Sequence, residues 1–100
     1  MTATLPNHRT HEVIEFDLDG AHYTAGIGRY ANGTLAEIFL DAGKPGSALR
    51  AATRDAAILA SMLLRHMPAA DIGAALTRND DNTAAGPVGR VIDEMEPIKP

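Results

Sequence analysis

A chain of 100 residues with a formal charge of −4, from 13 acidic and 9 basic side chains, has room for one domain with a modest core. Its acidic balance argues against nucleic-acid binding, which needs a basic stripe dense enough to displace counterions, and the lack of any cysteine excludes disulfides, thiolate metal sites, thiyl radicals and cysteine nucleophiles. No apolar run approaches the roughly 20 residues that span a bilayer, and the opening MTATLPNHRTHE has no apolar signal region, so the expectation is a cytoplasmic protein without membrane contact.

Residues 1–11 show no hydrophobic period and are expected to form a disordered leader. A single α+β domain is predicted over 12–95, followed by a loose tail over 96–100. In EVIEFDLDG, Ile14, Phe16 and Leu18 alternate with Glu15, Asp17 and Asp19, the period of a strand with one face on a core. Asp19-Gly20 suits a tight hairpin turn. The next segment, AHYTAGIGRY, is β-favouring, Ala31-Asn32-Gly33 makes a second turn, and a third strand is expected from about Thr34 to Leu40. These three strands form an antiparallel meander.

The run SALRAATRDAAILASMLLRHM has the residues of a strong helix. At about 100° per residue, Leu49, Ala52, Ala56, Leu59, Ala60, Leu63 and Met67 share one broad face, which is expected to meet the core. Arg50, Arg54, Ser61 and Arg65 fall on the opposite face. Pro68 ends this helix, a shorter one is expected over Ala69 to Thr77, and Pro87 suits the first turn of a last helix through Met95. Apolar residues make up 45% of the chain, but many are alanine, and at roughly 25 cal/mol per Å² each contributes little. A homodimer would help to complete such a core.

Gly43-Lys44-Pro45-Gly46-Ser47 is not a P-loop, because there the lysine lies inside the helix start. Two readings remain open. One is a strand-to-helix turn capped by Ser47. The other is an anion or nucleotide site built from Lys44, Gly46, Ser47 and Arg50 at the positive end of the helix. Gly26-Ile27-Gly28-Arg29-Tyr30-Ala31 matches a dinucleotide fingerprint on paper but runs into a hairpin turn instead of a helix, so these glycines are read as a strand bend or a close backbone approach.

Arg50, Arg54 and Arg65 form either a solvated face or a docking surface, since arginine makes forked bonds to carboxylates and phosphates. Glu12, Glu15, Asp17 and Asp19 are a complementary acidic set. The histidines His8, His11, His22 and His66 and the Asp80-Asp81 pair supply no rigid metal-ligand set. No catalytic constellation and no cofactor site can be drawn from these residues.

The order DGAHYTAGIGRYANGTLAEIFLDAGKPGSALRAATRDAAILASMLL, then IGAALTR and TAAGPVG, resembles the TSCPD domain near the C-terminus of class II, adenosylcobalamin-dependent ribonucleotide reductases. Its most specific pieces are GTLAEIFL, the Gly46-Ser47 helix opening, Asp55-Ala56-Ala57-Ile58 and Gly86-Pro87-Val88-Gly89. The Thr-Ser-Cys-Pro-Asp sequence that names the family is absent, and the reductase's catalytic barrel has no counterpart here. The resemblance implies a non-catalytic accessory module acting by protein–protein association, with a reductase-type partner or with itself. The alternative is a small nucleotide- or phosphate-binding regulator.

Overall fold

Alternating strand residues and two tight turns bring the first half of the chain into one sheet. In the computed structural model, which describes residues 11–95, β1 (His11–Leu18), β2 (Ala21–Arg29) and β3 (Leu35–Ala42) pair antiparallel in the order β1-β2-β3. The expected leader and tail lie outside the described residues, apart from His11, which opens β1. Asp19 and Gly20 have φ of 51° and 82°, both positive, as a two-residue hairpin turn requires. In the second turn Gly33 takes φ 91°, and the Asn32 side chain accepts hydrogen bonds from the backbone N–H and the hydroxyl of Thr34. The glycine-rich segment of β2 does carry an irregularity: the register with β3 shifts between Gly28 and Arg29.

The sheet buries one face. Phe16 from β1, Tyr23, Ala25 and Ile27 from β2, and Ile38 and Leu40 from β3 point into the core. Phe16 and Tyr23 are direct register partners and stack with ring centroids 5.3 Å apart. Arg90 lies over the Phe16 ring at 5.0 Å, so a cation closes the edge of that aromatic pair.

Three helices follow: α1 (Ala48–Leu63), α2 (Ala69–Ala75) and α3 (Pro87–Met95). Pro68 precedes α2 in extended geometry and Pro87 opens α3, both placements consistent with proline's fixed φ and missing donor. Helix α1 packs chiefly on β3, while α2 packs on α3 and α3 reaches both α1 and β3. Val91 and Ile92 of α3 and Ile72 of α2 complete the core. At Gly73 an added Cβ would lie 3.0 Å from the Ile92 side chain, and at Gly89 one would lie 3.1 Å from the Ala84 Cβ, so both glycines mark close approaches. The polar loop between α2 and α3 is tied down by Arg78, which donates to both carboxylate oxygens of Asp93 at 2.6 and 2.8 Å and to the carbonyls of Gly73 and Asn82.

The orientation of α1 corrects the expected one. Its buried residues are Thr53, Ala57 and Ala60, with Leu64 just beyond the helix. Of the face expected to meet the core, only Ala60 is buried and Ala56 half-buried; Leu49, Ala52, Leu59, Leu63 and Met67 are exposed. The cause is the edge of β3. Ser61, expected on the outer face, accepts a hydrogen bond from the Ile38 N–H at 2.9 Å and donates to the Ile38 carbonyl at 3.1 Å. Satisfying that edge turns the small side chains Thr53, Ala57 and Ala60 inward, where they allow close approach, and turns the large ones out.

Candidate functional site

The Gly43–Ser47 turn forms because the chain must leave the β3 edge and reverse into α1. Gly43 and Gly46 both have positive φ, 70° and 82°, a conformation that glycine adopts without a Cβ penalty. The Ser47 N–H donates to the Lys44 carbonyl, and the Ser47 hydroxyl accepts the backbone N–H of Arg50 at 3.1 Å. Ser47 is therefore the N-cap of α1. Lys44 and Gly46 are exposed beside it.

Of the four residues considered for an anion site, Gly46, Ser47 and Arg50 border one shallow groove with Arg54 and Ile58; Lys44 is not part of that lining. The arginines have an intramolecular partner that sequence spacing did not reveal. Asp41, on the outer side of β3, lies 3.2 Å from Arg50 Nε and 3.6 Å from an Arg54 terminal nitrogen. An anion at the helix start would compete with that carboxylate. Arg65 is separate, near Tyr30, Glu37 and Met62 beside a second groove. The arginine stripe thus flanks β3 and does not stand opposite the packed side of the helix.

Three of the acidic side chains on the hairpin, Glu12, Glu15 and Asp17, are also occupied within the chain. Glu12 accepts from Arg29 Nε at 2.6 Å. His22 lies between Asp17 and Glu15, with one ring nitrogen 2.7 Å from the first carboxylate and the other 2.8 Å from the second. These two bonds, Asp17's foremost, hold the imidazole pKa above its ordinary value. The doubly bonded imidazole leaves no ring nitrogen for a metal, and among the described residues no group of three or more His, Asp or Glu side chains could hold one.

Apolar side chains dominate what is left. The outer face of the sheet carries Val13, Gly26 and Phe39 in one cross-strand row, with Phe39 59% exposed. Phe39 and Ile58 together border a groove of about 310 Å³ between the sheet's outer face and α1. On α1 itself, Ile58 is 54%, Leu59 61%, Met62 59% and Leu63 45% exposed. A helix that buries alanines and presents its leucines, isoleucine and methionine has its amphipathicity inverted relative to its own core. Contiguous apolar exposure of this kind marks association sites more often than free surface.

Fold and surface together define a small α+β domain whose long helix presents an apolar outward face. Comparison with protein families, with curated proteins and with solved structures finds no match to this chain.

Proposed function

We propose that this chain is a free-standing accessory module, similar to the TSCPD domain of class II ribonucleotide reductases, that works by protein–protein association and carries no reaction of its own. The observation that supports it is the outward face of α1, where Ile58, Leu59, Met62 and Leu63 are exposed and Ile58 and Met62 border grooves shared with Phe39. Burying such residues drives association at roughly 25 cal/mol per Å² before the costs of docking are met. The rival anion-binding role draws less support, because the Ser47 hydroxyl is engaged with the Arg50 N–H and the Arg50 guanidinium sits beside Asp41.

Titration calorimetry with a purified adenosylcobalamin-dependent reductase catalytic chain, and separately with adenine and guanine nucleotides, tests the reading. Association with the reductase or with itself, lost on Leu59→Glu, is the expected result. Saturable nucleotide binding that is lost on Lys44→Ala and Arg50→Ala, with no protein association, would overturn it.

A further inference from the structure

Taking the association role as its basis, we infer that the outward face of α1 docks on the same face of a second copy, antiparallel, about a two-fold axis near the C-terminal end of the helix, between Ala60 and Ser61. The face is complementary to itself when reversed. Its outward meridian runs through Asp55, Leu59, Met62 and His66, residues spaced by three or four and therefore aligned along one side of a helix. The chain keeps turning past the end of α1 at Leu63, where the N–H groups of His66 and Met67 both donate to the Leu63 carbonyl, at 2.8 and 3.0 Å. Leu59 and Met62 are equidistant from the midpoint, and so are Asp55 and His66. An antiparallel copy consequently sets Leu59 against the partner's Met62, and the Asp55 carboxylate against the imidazole N–H of the partner's His66, each contact made twice.

Charge complementarity selects the occupant. Asp55 and His66 are exposed, and neither enters an ion pair among the described residues, whereas Arg50 and Arg54 are answered by Asp41 and Glu12 by Arg29. The only polar groups on the meridian are thus one acceptor and one donor, placed symmetrically about an apolar centre.

Sedimentation equilibrium of the untagged full chain, from about 1 μM to about 1 mM so as to bracket weak association, tests this. A monomer–dimer equilibrium is expected, weakened about tenfold or more by Leu59→Glu or Met62→Glu, since each puts two charges into the apolar centre. Both side chains are exposed in the protomer, and circular dichroism verifies that the variants fold. Asp55→Lys and His66→Glu should each weaken the dimer, and the double variant should restore it, because the exchanged charges again face each other. Val13→Thr, on the sheet's outer face, should change nothing. A monomer at every concentration overturns the inference, as does a dimer insensitive to Leu59→Glu or a double variant without rescue. A monomeric wild type that still binds the reductase chain through Leu59 removes the self-docking inference and leaves the accessory role standing.

Discussion

Replacing Ser61 by alanine isolates the contact that sets the orientation of α1. Its hydroxyl is the partner of both the N–H and the carbonyl of Ile38, at 2.9 and 3.1 Å, on the edge of β3. An unsatisfied buried polar group costs about 1–3 kcal/mol. The groove bordered by Phe39, Ser61 and Met62, about 410 Å³ in volume, admits water that recovers part of this, so a net loss of about 1–2 kcal/mol is expected. For a domain of this size each kcal/mol lowers Tm by about 4–8 °C. Urea melts at fixed protein concentration, which keeps any association constant, should show a lower midpoint with an unchanged slope. Amide exchange should accelerate at Ile38 more than at Ala25 in the sheet centre. An unchanged midpoint together with unchanged Ile38 exchange would refute the account of how α1 is seated.

Ser47→Ala should cost about 1 kcal/mol in the same melts, the usual loss for a capping serine; no change would mean that the bond to the Arg50 N–H contributes nothing. Gly73→Ala should destabilise by about 1–3 kcal/mol, because the new methyl would lie 3.0 Å from the Ile92 side chain, and neutrality would show that α2 and α3 separate freely. The hydrogen bonds from Arg78 hold the Asp93 pKa below its ordinary value; a group depressed on folding adds stability above its unfolded pKa and loses it as pH falls through the folded value. Acid melts of Asp93→Asn should therefore lack a component seen in the wild type between the ordinary aspartate pKa and lower pH. His22 has the opposite sign: raised by Asp17 and then Glu15, it adds stability below its unfolded pKa that disappears as pH rises through the folded one. Proton NMR titration should place its midpoint above the ordinary histidine value, and Asp17→Asn should bring it down.

Much of the fold was legible because its signals are local. Alternation at Ile14, Phe16 and Leu18, the Asp19-Gly20 turn, the Ser47 cap and Pro87 at the start of α3 each act within a few residues, and each recurs in the structure, whereas α1 ends at Leu63, before the expected stop at Pro68. The orientation of α1 was not legible, because apolar residues occupy most of its circumference and several faces satisfy the same periodicity. What decides among them is Ser61 meeting the Ile38 backbone, a contact between residues 23 positions apart. The arginine surface failed to stand free for a similar reason. Arg50 and Arg54 share a helix face by spacing, but Asp41 reaches them only once α1 docks on β3. Period two along β3 does turn Phe39 away from the inward Ile38 and Leu40, so its exposure on the outer sheet face could have been read from the sequence.

The claim that the outward face of α1 is the working surface is tested most directly by methionine methyl NMR with a soluble paramagnetic probe, comparing dilute protein with concentrated protein and with the reductase chain added. Met62 is 59% exposed on that face, whereas Met95 packs partly buried beside Arg29. The account predicts that the Met62 methyl, broadened by the probe in dilute protein, becomes protected when copies or partner are present, with Met95 unchanged. A Met62 methyl that stays equally broadened under all three conditions would contradict it.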